Sequence, residues 1–177
     1  MNAIKNTIRK QRGATMLEVV MGAAVAATLS TAAVPSLTAL ANRQQVAATT
    51  NELLASLNLA RSEAIAHGTR VAIATRANDD WSTGWRVFVD ANDNGIMDAG
   101  ETVIREFRAD SQRLTIRPQF GLNNPGTVLS FDPTGRILRP GSHGMVLGRL
   151  TLKQETETRS VCFASLRFRV VNAETCS

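Results

Sequence analysis

The sequence predicts an α+β fold in which one long N-terminal helix packs on an antiparallel β-sheet domain. Residues 15–66 have the composition and periodicity of a single helix, first apolar on all sides and then amphipathic. From residue 69 onward, short segments of strand-forming residues alternate with turn signals, and the pattern indicates no further helix. At 177 residues, the chain is long enough for one modest domain besides the N-terminal element.

The N-terminal segment before Ala14 is basic, and an apolar segment follows it. The basic part holds no acid and four cations, which are Lys5, Arg9, Lys10 and Arg12. From Ala14 to Ala41 the chain carries a single charge, on Glu18. A helix over this apolar segment spans about 42 Å, which is enough to cross a bilayer core of about 30 Å. A charge at bilayer depth costs at least about 2–3 kcal/mol, so such a residue is usually kept for a partner.

A secretory signal peptide and a plain single-pass anchor are alternatives for this segment. A signal peptide has a shorter apolar core and then a small-residue cleavage site, which alanine-rich stretches can mimic. A plain anchor accounts for the basic flank and the apolar run, but not for Gly13, Glu18 and Pro35 together. The positive flank places the N-terminus in the cytoplasm and the domain outside.

The helix continues beyond this segment as an amphipathic one. Its apolar residues recur at spacings of three and four: Leu53, Leu57, Ala60 and Ala64. This pattern predicts a stripe that packs on a sheet. Gly68 is the predicted C-terminal cap of the helix.

Eight segments after the helix are predicted strands. They are residues 70–75, 85–90, 102–108, 114–118, 127–131, 145–152, 159–163 and 167–171. Clusters of Gly, Asn, Asp and Pro separate them, which is typical of turns between short strands.

Charge is distributed unevenly along the chain. The net charge is +5, but four of the cations precede Gly13, and without them cations and anions nearly balance. Residues 111–177 hold nine cations, nearly all of them arginine, and four anions. Arginine suits phosphate binding because its guanidinium group is planar and multidentate, although a solvated basic face gives the same imbalance.

The chain is predicted not to be an enzyme. Its two histidines, His67 and His143, lie at a helix end and in a glycine-rich turn. The sequence contains neither an HExxH zinc motif nor a phosphate-binding Gly-Lys-Ser/Thr loop.

The two cysteines, Cys162 and Cys176, both lie close to the C-terminal end of the chain. In an exported protein, two cysteines at this spacing are expected to form one disulfide, which ties the tail back onto the domain. A zinc site is disfavoured because no further pair of Cys or His lies nearby.

The segment from Lys10 to Glu18 resembles the class III leader of type IV pilins and type II secretion pseudopilins. The resemblance implies that a prepilin peptidase cuts after Gly13 and methylates the amine of Ala14. Glu18 then becomes the fifth mature residue. Pro35 falls at the twenty-second position, where the family commonly has proline. The first mature residue in the family is usually Phe or Met, so Ala14 departs from the pattern.

Three later blocks narrow the resemblance to the GspH/FimT (FimU) family of minor pilins. They are residues 57–65 followed by 71–73, residues 84–90 with Asn94, Gly95 and Glu101 behind them, and residues 131–136. The resemblance covers essentially the whole chain and implies the type IV pilin fold. It implies a leader peptide (1–13), a transmembrane or filament-core helix (14–41), the amphipathic half of the same helix (42–68) and a β-rich globular domain (69–177).

The resemblance also implies a function. The chain would be a minor pilin that primes or caps a type IV pilus, and Glu18 would pair with the N-terminal amine of a neighbouring subunit. Its expected partners are other major and minor pilins, the prepilin peptidase, the inner-membrane assembly platform and, before assembly, the membrane. Its expected location is the bacterial inner membrane, with the domain in the periplasm, and then the pilus or pseudopilus at the cell surface. A DNA-binding minor pilin for DNA uptake and a type II secretion pseudopilin are the alternatives.

Residues 90–101 fit the calcium-loop pattern D-x-[DN]-x-[DN]-G-x5-E at every fixed position. The ligands would be Asp90, Asn92, Asn94, Ile96, Asp98 and Glu101. A polar hairpin turn rich in Asn, Asp and Gly has the same composition, and the flanking segments are predicted strands rather than helices. Calcium is therefore one of two interpretations, and no other cofactor is expected.

Residues 166–169 (LRFR) resemble the C-terminal Gly-Arg-x-Arg tail of DNA-uptake members of the FimT group, with leucine in place of the glycine. Alternation along a strand places Arg167 and Arg169 on one face, within reach of successive phosphates. Arg159 or Arg149 is expected to assist them. An ordinary edge strand with exposed arginines is the alternative.

Overall fold

The computed structural model describes residues 13, 15–77, 79–109, 113–120, 126–142, 144–164 and 167–176. Within them the chain forms one helix, α1 (Met16–His67), and nine strands. The strands are β1 (Val71–Ala77), β2 (Asp80–Val89), β3 (Val103–Arg108), β4 (Thr115–Phe120), β5 (Val128–Phe131), β6 (Ile137–Leu138), β7 (Leu147–Gln154), β8 (Glu157–Ala164) and β9 (Arg167–Val171). The predicted leader residues 1–12 and Ala14 lie outside the described residues.

Both ends of α1 have recognisable caps. The hydroxyl and the carbonyl oxygen of Thr15 accept hydrogen bonds from the backbone N–H of Glu18, at 3.3 and 3.0 Å. This is the bonding of a helix N-cap. At the other end, Gly68 has φ +61°, a left-handed conformation that glycine adopts without a Cβ clash. The helix predicted over residues 15–66 is confirmed to within one residue at each end.

The chain divides into two compact units, Met1–Leu40 and Ala41–Ser177. In the first unit, all the described side chains of α1 are exposed. Pro35 lies inside the bounds of α1, and its side chain is not among the described ones. No helix in the described part of the chain is both long and apolar enough to cross a membrane. The transmembrane assignment of residues 14–41 stays a prediction.

In the second unit, the described strands form two antiparallel sheets. One has the order β3-β2-β1-β5-β6 and the other the order β4-β7-β8-β9. All eight predicted strands are present, with ends that differ by up to five residues, and the two-residue strand β6 is an addition. The predicted architecture of a long helix and antiparallel strands is confirmed, with the strands shared between two sheets.

The predicted apolar stripe of α1 is buried. Leu53, Leu57, Ala60 and Ala64 have no exposed surface. They belong to one hydrophobic core that also includes side chains from both sheets. The 3.6-residue periodicity of this half of the helix therefore decides which face meets the sheets.

A chain of aromatic rings joins the two sheets. The ring centroid of Trp81 on β2 lies 6.4 Å from that of Phe120 on β4, which lies 5.2 Å from that of Phe163 on β8. Both contacts are edge to face, the arrangement that the ring quadrupoles favour. The Trp81 indole N–H donates to the carbonyl oxygen of Gly126 at 2.6 Å. Because β2 belongs to the first sheet and the other two strands to the second, these rings pack the sheets against each other.

Candidate functional site

The outer face of the four-stranded sheet is basic. Residues directly opposite each other in antiparallel strands project from the same face of a sheet. The register places Gln119, Arg149, Cys162 and Arg169 in one row across the four strands. Residues two or four positions along the same strands share that face. Among the described residues, this face, here called the basic face, carries five cations: Arg117, Arg149, Lys153, Arg167 and Arg169.

The opposite face of this sheet packs on the core. Leu150, Leu152 and Val161 alternate with the residues of the basic face and have no exposed surface. The alternation of apolar and basic residues along β7 thus separates a packing face from a solvent face. The basic side chains therefore point away from the core, all on the same side of the sheet.

A groove of about 780 Å³ lies on the basic face. Arg149, Arg167 and Arg169 line it. The apolar part of its lining includes Leu147 and the disulfide between Cys162 and Cys176. The groove therefore combines guanidinium groups, which bind phosphates, with an uncharged surface.

A second groove of about 390 Å³ adjoins the first and shares Arg149 and Gln119 with it. Its charged lining residues are Arg117, Arg149, Lys153 and Glu174. Among the described residues, no carboxylate lies within 4 Å of the guanidinium groups of Arg117, Arg149 or Arg167. Within this part of the chain, no direct ion pair cancels the field of these three arginines.

The C-terminal tail is held against the basic face, at the inner strands β7 and β8. The predicted disulfide joins Cys162 of β8 to Cys176, with 5.9 Å between their Cα atoms. The hydroxyl of Ser160 donates to the carbonyl oxygen of Ala173 at 2.6 Å. Between these two attachments, the carboxylate of Glu174 pairs with the Lys153 ammonium at 2.9 Å. The hydrogen bond and charge of Lys153, followed by the charges of Arg117 and Arg149, lower the pKa of Glu174.

The structure brings three of the four predicted phosphate-binding arginines together. Arg149, Arg167 and Arg169 line one groove, whereas Arg159 lies on the alternate face of β8 and lines a separate groove with Arg43 and Glu157. The leucine at position 166 lies outside the described residues.

Two cations of the basic face are not predicted from the sequence. Arg117 and Lys153 sit on β4 and β7, far from residues 166–169 along the chain. The alternation Arg149-Leu150-Thr151-Leu152-Lys153 does indicate a polar face on β7. Which strands lie beside it depends on the pairing of β4, β7, β8 and β9, which local sequence does not reveal.

A cation–aromatic contact supports β9 from behind. The Phe168 ring, on the side of β9 opposite Arg167 and Arg169, lies with its centroid 4.5 Å from the guanidinium carbon of Arg61 on α1. Burial lowers the pKa of Arg61, whose Nε and Nη2 atoms have no hydrogen-bond partner among the described residues. The attraction between cation and ring thus connects the end of α1 to the strand that carries the arginine pair.

The loop of residues 90–101 is closed by its own hydrogen bonds. The carboxylate of Asp90, which is 1% exposed, accepts from the backbone N–H groups of Asn94 and Gly95 at 3.1 and 3.0 Å. The carboxylate of Glu101 accepts from those of Ala91 and Asp98, both at 3.0 Å. Burial raises the pKa of Asp90, and the charges of Glu101 and Asp93 add to this against the two hydrogen bonds.

The side-chain amides of Asn92 and Asn94 both donate to Asp98, at 2.8 and 2.7 Å. In the described part of the chain, no three or more His, Cys, Asp or Glu side chains are grouped so as to hold a metal ion. The remaining predicted ligand, Ile96, would bind calcium through its backbone carbonyl. The carboxylates and amides of the loop thus form hydrogen bonds with groups of the same loop. Calcium binding there stays a prediction.

The residues predicted for processing and assembly lie near the start of the chain. Gly13 is exposed, and Ala14 lies outside the described residues. Glu18 is exposed in the first turn of α1 and makes no ion pair with any described residue. An acid in the first helical turn also interacts favourably with the helix dipole.

Comparison with known proteins identifies one family model that matches residues 49–166, described as "Type II transport protein GspH". Two crystal structures of the type IV minor pilin FimU of Pseudomonas aeruginosa (strain PAO1) have a similar fold. The form in space group P21 has a TM-score of 0.58 and 18% identity, over 78% of this chain and 99% of the crystallised FimU chain. The P65 form has a TM-score of 0.50 and 20% identity, over 72% and 96%. No curated protein matches the sequence. The predicted type IV pilin fold is confirmed.

Proposed function

Because the chain belongs to the GspH family of minor pilins and pseudopilins, we propose that it primes or caps the assembly of a type IV pilus near the filament tip. The exposed apolar surface at the start of α1 is the observation that carries this proposal. Met16, Leu17, Val19 and Val20 are each more than half exposed. A contiguous apolar surface of this kind marks a lipid or protein contact. In an assembled filament, the helices of other pilin subunits supply that contact.

Glu18 sets the register of this contact in the proposal. It is the one charged residue between Ala14 and Ala41. Among packed apolar helices, an uncompensated carboxylate is costly, so it selects a position where a cation is available. The N-terminal amine of a neighbouring subunit is such a cation.

Maturation precedes assembly in the proposal. A prepilin peptidase cuts after Gly13 and methylates the amine of Ala14, while the subunit is held in the inner membrane with its domain in the periplasm. The inner-membrane assembly platform then transfers it into a filament with major and minor pilins. The basic segment before Gly13, the apolar segment after it and the family membership support this order.

Deletion of the chain in its native host tests the assembly role. We expect few or no surface filaments by electron microscopy, restored by the full chain supplied in trans. Filament number unchanged by the deletion would overturn the priming role. Normal filaments together with loss of protein secretion would instead identify the secretion pseudopilin.

A second candidate function is DNA binding for uptake, which the convergence of Arg149, Arg167 and Arg169 on one groove favours. Phosphate contacts supply affinity that depends on salt and not on sequence. The basic face is solvent-facing, and among the described residues no carboxylate lies within 4 Å of Arg117, Arg149 or Arg167. A duplex lying on it would exchange its counterions for these guanidinium groups.

Binding of fluorescent duplex DNA by the full chain, in a nonionic detergent and across a salt series, tests this function. The double variant Arg167→Ala/Arg169→Ala should bind about tenfold more weakly or worse at low salt, and its log–log salt slope should fall by about 2. Arg105→Ala/Arg108→Ala on β3 of the other sheet is the matched control, because it removes the same charge. Equal losses in both double variants, or no binding by the wild type, would reject the site.

A further inference from the structure

The basic face extends beyond the arginine pair of β9. The second groove is lined by Arg117, Arg149 and Lys153, and it shares Arg149 with the first. The strand register places Arg117 opposite Thr151, one strand away and two residues along from Arg149. The two grooves are therefore neighbouring parts of one cationic surface.

Three cations of this surface, Arg117, Arg149 and Arg167, lie close to one diagonal across the sheet. Arg167 and Arg117 lie on the two outer strands of the sheet, displaced in opposite directions from the row that contains Arg149 and Arg169. With strands about 4.8 Å apart and residues about 3.4 Å apart, the diagonal is about 20 Å long. One strand of a DNA duplex has about six phosphates over that length. The spacing suits a linear polyanion better than a single small anion.

An anion from the chain itself already lies in the second groove. The Glu174 carboxylate is 2.9 Å from the Lys153 ammonium, and its side chain is 61% exposed. Lys153, Arg117 and Arg149 all act on it electrostatically in the direction that favours its charged form. The groove thus attracts and holds a carboxylate in the position where an external phosphate would bind.

We infer that Arg117, Arg149 and Lys153 form a second phosphate subsite, and that Glu174 occupies it as an internal competitor that an incoming polynucleotide displaces. The inference rests on the proposed DNA binding and extends the footprint from β9 across the sheet to β4. Through Glu174, the C-terminal tail would thus lower the affinity of the basic face for anions.

The attachments of the tail allow this exchange. Ala173 and Cys176 hold its backbone to β8 on either side of Glu174, so only the glutamate side chain has to move. An exposed ion pair of this kind contributes little free energy, because solvent screens it. Displacement of Glu174 is therefore easy, and its effect on DNA affinity is a modest factor.

DNA binding by the full chain, in the same detergent and salt series, tests the inference. Glu174→Gln should bind about three- to tenfold more tightly at low salt, because the competing charge is gone and Lys153 is released. Lys153→Gln should bind more weakly and reduce the log–log salt slope by about 1. The two variants act in opposite directions, so a general loss of folding cannot imitate both.

Glu106→Gln is the matched control. It removes one carboxylate from β3 and releases Arg76 and Arg108, which both pair with Glu106 in the other sheet. Affinity unchanged in Glu106→Gln and raised in Glu174→Gln would support the subsite. Equal gains in DNA affinity in both variants would show that the gain comes from the change in net charge alone. That result would overturn the inference. Wild-type binding that needs Arg167 and Arg169 but is indifferent to Glu174 and Lys153 would also overturn it, while leaving the DNA-binding function intact.

Discussion

At the turn between β5 and β6, the Asp132 carboxylate accepts five hydrogen bonds, from Thr134 and Arg136. Its side chain is 8% exposed, against 50% for that of Arg136. Burial alone raises the pKa of this carboxyl. The hydrogen bonds from Thr134 and Arg136 together outweigh the burial, so the pKa of Asp132 falls from 3.8 to about 2. The charged form of one residue therefore organises this turn.

This depressed pKa makes stability depend on pH. Above the ordinary aspartate pKa of about 4, the charged carboxylate contributes on the order of 2 kcal/mol to the free energy of unfolding. That contribution is lost as the pH falls from about 4 through about 2, where the folded state also takes up the proton. Denaturant unfolding of the wild type and Asp132→Asn should therefore differ by about 2 kcal/mol at pH 7 and by much less at pH 2.

Asp79→Asn is the control for this measurement, because it removes an exposed carboxylate in another turn. It should leave the free energy of unfolding nearly unchanged at both pH values. The free energy of unfolding could instead differ between the wild type and Asp132→Asn by the same amount at pH 7 and pH 2. That result would show that Asp132 acts through shape and not through charge.

At the scale of elements, the disulfide between Cys162 and Cys176 closes a loop that contains all of β9. A loop of about 15 residues restricts the unfolded chain by about 3 kcal/mol. Cys162→Ala/Cys176→Ala should lower the free energy of unfolding by about that amount, as measured by denaturant titration. Adding a reductant to the wild type should approach the same value and leave the double variant unchanged. If the reductant also lowered the free energy of unfolding of the double variant, the loss would not come from this disulfide.

Local sequence predicts the elements well and their neighbours poorly. The stripe of Leu53, Leu57 and Ala60 repeats within one helix, so its burial follows from spacing alone. The strand β6 escapes prediction because two residues carry no periodicity. Arg159 and Arg167 are close in sequence, and the sequence-based prediction therefore groups them together. In the structure, the alternation of side chains along β8 places Arg159 on the other face of the sheet. The alternation along β8 is local, but the register that relates β8 to β9 is not, and this register decides which cations share a groove.

At the scale of the whole molecule, the chain has two surfaces with different requirements. The start of α1 exposes apolar side chains that need a lipid or helical neighbour, whereas the outer face of the four-stranded sheet exposes cations that attract anions. The apolar surface is uncharged apart from Glu18. Under the proposed function, assembly therefore depends on one carboxylate, and any DNA contact depends on residues that take no part in it.

Glu18→Ala tests this separation. Under the proposed function, the variant lacks the charge that selects a neighbour's N-terminal amine but keeps the proposed cleavage site after Gly13, so we expect a processed protein that fails to enter filaments. Intact mass of the unassembled protein reports processing, and immunoblotting of sheared filaments reports incorporation. Glu63→Ala, which removes a carboxylate near the other end of α1 and outside the exposed apolar surface, should still enter filaments.

Incorporation of Glu18→Ala at the wild-type level would remove Glu18 from the assembly step. Absence of processing would assign it to the peptidase instead. DNA binding by the purified variant should equal that of the wild type, because the carboxylate and the basic face belong to different compact units. A variant that binds DNA normally and yet stays out of filaments would show that the two surfaces act independently, which is what a subunit with one assembly surface and one anion-binding surface requires.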